Sequence, residues 1–226
     1  MSRITGKKTA MITGGSRGIG LAIRERFDRE GINIVAPTRK ELDLLSVSSI
    51  DAYVSTLGQP IDILINNAGI NNIQPLAEVD DNNIQAAMQI NLLAPFRLAR
   101  ALAPTMKERG YGRIVNISSV WAIVTKTGRA PYSMAKAGLG GMTRALAVEL
   151  APYNILVNAV APGYVDTELT RQNNTDDQIE GIKKLIPMGR LAAPEEIAEV
   201  VAFLATEKNS YITGQLIVVD GGFTCL

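Results

Sequence analysis

Histidine is absent from the 226-residue chain and cysteine occurs once. The first absence excludes every mechanism built on an imidazole base or a His-bound zinc, the Ser-His-Asp arrangement included. The second leaves Cys225 without an intrachain disulfide partner, and no metal site is expected. Neither sign of charge is in surplus, with 23 Lys and Arg against 22 Asp and Glu, so bulk charge favours neither nucleic acid nor an anionic membrane. No apolar run approaches membrane-spanning length. The polar, basic stretch from Met1 to Thr9 passes through only a brief apolar run into Gly14-Gly15, which is not the pattern of a signal peptide. A cytoplasmic, reducing setting is expected.

What is present is alternation. Short Val- and Ile-rich runs at Ala10–Thr13, Asn33–Ala36, Ile61–Ile65, Arg113–Ser118, Ile155–Val160 and Leu216–Val219 read as strands covered on both faces. Between them Ile19–Glu30, Asn82–Arg109, Tyr132–Ala151, Gln178–Ile186 and Pro194–Ala205 carry apolar residues at helical spacing. The expected architecture is α/β, a doubly wound parallel sheet of Rossmann type formed as a single domain over residues 1–226. The polar segment Thr167–Asp177 reads as a surface loop, with a substrate lid as the functional alternative.

The first strand runs into Thr13-Gly14-Gly15-Ser16-Arg17-Gly18-Ile19-Gly20 and then into a helix. Glycines there let the backbone approach a pyrophosphate, whose charge meets the free N–H groups at the positive end of the helix. Such a turn also needs glycine without any ligand, so its position in the first βα unit carries the reading. No Gly-Lys-Ser/Thr follows, which favours a dinucleotide over a nucleoside triphosphate.

The second strand leads into Pro37-Thr38-Arg39-Lys40, where an NAD-binding fold would offer a carboxylate to the ribose 2′-hydroxyl. Here the strand end holds no carboxylate and the candidates Arg39 and Arg17 are basic. Charge-assisted hydrogen bonds to a 2′-phosphate contribute roughly 1.5–3 kcal/mol each, so two imply a preference of about a hundredfold or more. NADP(H) is the expected cofactor.

At Tyr132-Ser133-Met134-Ala135-Lys136 a phenol and an ammonium share one helix face. The ammonium can stabilise the phenolate, although a Tyr-x-x-x-Lys spacing alone is ordinary helix surface. The ordered set Thr13-Gly14-x-x-x-Gly18-x-Gly20, Asn66-Asn67-Ala68-Gly69, Asn91, Ser119, Tyr132-x-x-x-Lys136 and Ala161-Pro162-Gly163 closely resembles the short-chain dehydrogenase/reductase family. The match extends from about Lys7 to Gly222, and within the family it is most like the 3-oxoacyl carrier-protein reductases, notably at Gly189-Arg190-Leu191 and Tyr211-Ile212-Thr213-Gly214.

The resemblance implies that Tyr132 is the general acid, that Ser119 orients the carbonyl oxygen, and that Lys136 stabilises the tyrosinate and holds the nicotinamide ribose. It implies a water-positioning role for Asn91 and a structural one for Ser118. It further implies that Ser16, Thr38, Asp43-Leu44 and Asn67-Ala68-Gly69 line the adenosine half. Pro162, Gly163, Val165 and Thr167 would line the nicotinamide and pyrophosphate, and the helices holding Ala94–Arg109 and Tyr132–Ala151 would build a homotetramer or homodimer.

Two departures from the family stand out. Only about four residues separate the second strand from Asp43, where the family usually inserts a helix. Of the two basic residues that carrier-protein reductases tend to present to the carrier, Arg109 resembles one, while Tyr153 stands at the other. The expected substrate is a small carbonyl or alcohol, a 3-oxoacyl thioester on a carrier protein or CoA in the first instance. A sugar, polyol or other secondary alcohol is the alternative, and a non-catalytic NADP(H)-binding regulator is a second. Met142, Trp121 and Ile123 are read as core rather than pocket.

Overall fold

A computed structural model describes residues 6–225. The extreme N-terminal residues 1–5, part of the polar stretch read above, lie outside the described residues. Strand β1 (Thr9–Ile12) leads through the glycine turn to α1 (Gly18–Arg29), and β2 (Asn33–Val35) follows. Then come α2 (Val47–Ser55), β3 (Ile63–Asn66), α3 (Asp81–Met88) and α4 (Ala94–Arg109), with β4 (Gly112–Ile117) next. The long α5 (Ala130–Leu150) precedes β5 (Ile155–Pro162), and α6 (Glu168–Gln172), α7 (Asp176–Leu185) and α8 (Pro194–Ala205) precede β6 (Leu216–Val219). All six strands pair in parallel in the order β2-β1-β3-β4-β5-β6.

The strands alternate between two cores because successive side chains point to opposite faces. Ala10, Ile12, Ile63, Ile65 and Val115 join Phe27 of α1 and Val201 of α8 on one side. Met11, Leu64 and Ile114 join Leu98 and Met106 of α4 and Leu150 of α5 on the other. Helices on both faces make each central strand apolar along its length, as its sequence predicts. From the paired carboxyl ends of β1 and β3 the chain departs in opposite directions, towards β2 on one side and β4 on the other. A crevice opens at that point, and it positions the site.

Three segments differ from their sequence reading. Helix α2 was not expected: Ser46 caps it by accepting from Ser49 N, and Ile50 is its one fully buried anchor. The predicted helix Asn82–Arg109 is divided by one π turn, Gln89–Leu93, between α3 and α4. The predicted loop Thr167–Asp177 folds instead into α6 and the start of α7. Thr167 caps the first by accepting from Thr170 N, and Thr175 forms a capping box with Gln178 on the second.

Candidate active site

The glycine turn is held by the end of the neighbouring strand. Gly14 and Gly18 adopt φ of +66° and +52°, a left-handed backbone that L side chains rarely adopt. Asn67 Nδ2 donates to the carbonyls of Thr13 and Gly14 at 3.0 Å each, while Thr13 Oγ1 accepts from Asn67 N and Ala68 N. Asn67 therefore shapes the turn with its side chain, a role spacing alone does not reveal. A Cβ on Gly20 would lie 2.1 Å from the Gly14 carbonyl oxygen, so only glycine lets α1 start this close. Arg17, at the N-cap, offers no side-chain cap, and the first turn of α1 holds no acidic residue. Its N–H groups are left to an anion.

From this turn a cleft of about 420 Å³ runs towards Pro37, Thr38 and Arg39 in one direction and Ser119 and Tyr132 in the other. Leu42, Asp43 and Leu44 form its wall after β2 without an intervening helix. Asp43 Oδ1 accepts from Leu45 N and Leu44 O accepts from Gln89 Nε2, which fixes this short connection. Beyond the strand end a carboxylate is present, outside the cleft lining. Glu41 turns back and accepts from Thr38 N and Thr38 Oγ1 at 2.8 Å each. These bonds pull the exposed Glu41 carboxyl below the usual range. Arg39 is exposed on the cleft wall, whereas Arg17 pairs with Glu168 beside the glycine turn.

At the other end β4 delivers Ser118 and Ser119, and α5 delivers Tyr132 and Lys136. The two serines part company: Ser118 Oγ donates to the Lys136 carbonyl, while Ser119 caps a short 3-10 turn by accepting from Trp121 N and faces the phenol. Lys136 is buried, and its Nζ donates to the Ile117 carbonyl at 2.7 Å. Burial lowers its pKa to about 8. Burial pushes the Tyr132 phenol up, and the Ser119 hydroxyl and the Arg129 charge draw it part-way back.

Asn91 sits inside the π turn and is only 1% exposed. Its Nδ2 donates to the carbonyls of Ala87 and Ile70, and its Oδ1 accepts from Ile70 N. A Cβ on Gly69 would lie 2.8 Å from Asn91 Oδ1 and 3.6 Å from Lys136 Nζ, so the two polar groups border one small space that glycine keeps open. Asn91 is therefore not a surface amide. Ser16, Ile19, Ala68, Pro162 and Gly163 also line the cleft. Val165 is buried and bridges Ala192, and Thr167 stands against Gly18.

Two contributors were missed in the sequence. Trp121, read as core alone, lines the cleft and meets Tyr164 and Phe223 edge-on, at centroid distances of 5.8 and 6.1 Å. Arg129, three residues before Tyr132, also lines it, with its guanidinium 5.0 Å from the Trp121 ring centre. A basic residue beside Gly128 and Ala130 resembles any solvated loop charge, so the pattern carries no signal of its burial.

A family model described as Enoyl-(Acyl carrier protein) reductase matches residues 40–224. The chain is 39% identical to the uncharacterized oxidoreductase YmfI of Bacillus subtilis, over 96% of this chain and 99% of that protein. It is 37% identical to the 3-oxoacyl-[acyl-carrier-protein] reductase FabG of Escherichia coli, over 95% and 96%. A gluconate 5-dehydrogenase from Burkholderia cenocepacia, solved with NADP and tartrate, superposes with a TM-score of 0.87 at 31% identity, covering 97% of this chain and 96% of that one. A 4-hydroxyisoleucine dehydrogenase complexed with NADH superposes with a TM-score of 0.93 at 30% identity, covering 97% and 100%.

Proposed function

The chain belongs to the short-chain dehydrogenase/reductase family of oxidoreductases, and from that premise we propose that it interconverts a ketone and a secondary alcohol with NADP(H). The observation that carries this reading is the convergence of Ser119, Tyr132 and Lys136 on one end of a cleft that runs past an uncapped helix terminus behind a glycine turn.

That cleft fits a dinucleotide. Gly14, Gly18 and Gly20 hold the backbone where a pyrophosphate needs N–H donors, and Asp43, Leu44, Ala68 and Gly69 wall the adenosine side. Arg39, exposed at that wall, supports a 2′-phosphate; Arg17, the second cation, would serve it by leaving its pair with Glu168. The nicotinamide, when bound, supplies the hydride taken up by the carbonyl carbon.

The protein's own part is proton and charge management. Tyr132 hands its phenolic proton to the carbonyl oxygen, and burial keeps the phenol protonated until substrate calls for it. Ser119 donates a hydrogen bond to the same oxygen and fixes its position. The Lys136 ammonium stabilises the resulting tyrosinate, and Asn91 holds its side of the space beside Gly69 for the water that returns the proton. Reduction with cofactor deuterated on the transferred position tests this: the label must appear on the carbinol carbon.

The 3-oxoacyl thioester reading is supported by the 37% identical reductases. It lacks a free basic pair for a carrier: Arg109 is bound to the buried Asp62, at 3.1 Å, and Tyr153 lies under Lys107. The alternative of a small polyhydroxy or hydroxy-acid substrate is supported by the structural neighbours. The proposed assembly is a cytoplasmic homotetramer, supported by apolar side chains bared on α4 and α5, among them Phe96, Met134 and the 80% exposed Val148.

A further inference from the structure

Arg129 is 3% exposed, yet it forms no ion pair and no side-chain hydrogen bond among the described residues. Its Nε is wholly enclosed without a partner, and its guanidinium lies over Trp121 on the wall of the cleft. Burying an unpaired charge is costly, and proteins satisfy such groups with a counter-ion or a ring of acceptors. This chain does so elsewhere. Arg113 is equally buried and its Nε is likewise without a partner, but its two terminal nitrogens donate to the carbonyls of Gly112, Asn154 and Asn209. Arg129 has no such ring.

The charges around it have one sign. Arg129 occupies the N-cap position of α5, whose first turn contains no acidic residue, and Lys126 lies 5.9 Å over the neighbouring Tyr164 ring. The carboxylates that line the cleft are Asp43 and Glu168. Asp43 belongs to the adenosine wall, and Glu168 is engaged by Arg17. The end that holds Ser119 and Tyr132 thus presents a buried cation and the positive end of a 21-residue helix, with no anion to match them.

We propose that Arg129 is a substrate-binding residue that takes a carboxylate carried by the substrate itself, so that the reacting molecule is a small oxo acid or its hydroxy acid. This deepens, and rests on, the reading of the site as a ketone/alcohol oxidoreductase. Planar guanidinium and carboxylate match in a two-point contact, and Trp121 holds the guanidinium plane. Arg129 precedes Tyr132 by three residues, a spacing that sets helical Cβ atoms about 5–6 Å apart, and its charge acts on the Tyr132 phenol. A carboxylate there therefore lies a few carbons from the carbonyl that Tyr132 serves. An acyl thioester would bring only uncharged atoms to this position and leave the charge unmatched.

The test uses levulinate and 5-oxohexanoate beside their methyl esters, which differ only in the charge. Binding to the NADP+-loaded full-length protein is measured by calorimetry, where the oxidised cofactor cannot reduce the ketone, and NADPH-dependent reduction is followed in parallel. The wild type is expected to bind at least one acid tenfold or more tightly than its ester. Arg129→Gln is expected to abolish that preference while leaving ester binding within a few-fold, and Arg129→Lys to keep part of it. Equal binding of acid and ester by the wild type, or of neither, overturns the proposal without recourse to any variant. An equal loss for both in Arg129→Gln overturns it too, because it assigns the cation to Tyr132 or to packing on Trp121. Selective binding of acid without reduction of either ketone would leave the carboxylate site standing and remove the ketoreductase reading instead.

Discussion

The ammonium of Lys136 lies 5.5 Å from the centre of the Tyr132 ring, one helical turn further along α5 and buried against the Ile117 carbonyl. The pair has opposite responses to the same environment. Burial raises the phenol and lowers the ammonium to about 8, because each charged form is the one that loses water. For ketone reduction, kcat/KM is expected to be level below about pH 8 and to fall as pH rises through it, as Lys136 loses its proton while Tyr132 keeps its own. A pH profile with a saturating cofactor checks this; a rate that climbs above pH 8 contradicts it.

The same shift acts on folding. The folded pKa of Lys136 lies below its ordinary value of 10.5, so between about pH 8 and 10.5 the unfolded chain binds the proton more readily than the folded one. Stability contributed at this site therefore rises with pH through that window. Relative to Lys136→Met, the wild type is expected to gain about 1.5 kcal/mol between pH 8 and 9.5, read from denaturant unfolding at the two pH values.

Ser119 and Ser118 separate chemistry from architecture. Ser119→Ala is expected to lower kcat by about a hundredfold with little change in unfolding midpoint, since it removes a hydrogen bond made to the reacting oxygen. Ser118→Ala loses its bond to the Lys136 carbonyl, at a cost of about 1 kcal/mol in stability and little in rate per folded molecule. The reverse pattern would exchange their roles.

The double-winding was legible because it rests on a local pattern, and the proposed catalytic pair because Tyr132 and Lys136 fall in an ordered set of motifs that resembles a known family. Alternating apolar runs specify buried parallel strands, and Tyr132 and Lys136 share a helix face by period alone. What stayed hidden depends on tertiary contact. Helix α2 hangs on Ser46 and the single buried anchor Ile50, too weak an amphipathic stripe to read. The π turn exists because Asn91 Nδ2 bonds the Ala87 and Ile70 carbonyls, the second of them 21 residues away. Glu41 meets Thr38, and Arg129 meets Trp121, only after the chain has turned.

Two glycines make a paired test of the turn. Gly20→Ala places a Cβ against the Gly14 carbonyl oxygen, and is expected to cost NADPH binding at least a hundredfold or to prevent folding. In the exposed helix α7, Gly181 has nothing within 4 Å of where a Cβ would stand. Gly181→Ala is expected to stabilise the protein by about 0.5–1 kcal/mol without touching cofactor affinity, checked by thermal unfolding and fluorescence titration.

On the proposed reading, cofactor choice turns on Arg39. Arg39→Ala is expected to weaken NADPH binding by about tenfold or more and to leave NADH nearly unchanged, corresponding to loss of one charge-assisted contact of roughly 1.5–3 kcal/mol. Fluorescence titration with both cofactors reads it directly. An unchanged NADPH affinity would remove Arg39 from the phosphate site.

The most direct test of ketone reduction at Tyr132 is NADPH consumption across a panel of small ketones, oxo acids and an acetoacetyl thioester, by wild type and Tyr132→Phe side by side. Wild-type turnover of at least one carbonyl is predicted, falling by about a hundredfold to ten-thousandfold in the variant while NADPH binding stays within a few-fold. Equal turnover by both proteins, or tight NADPH binding with no carbonyl reduced by either, would contradict it.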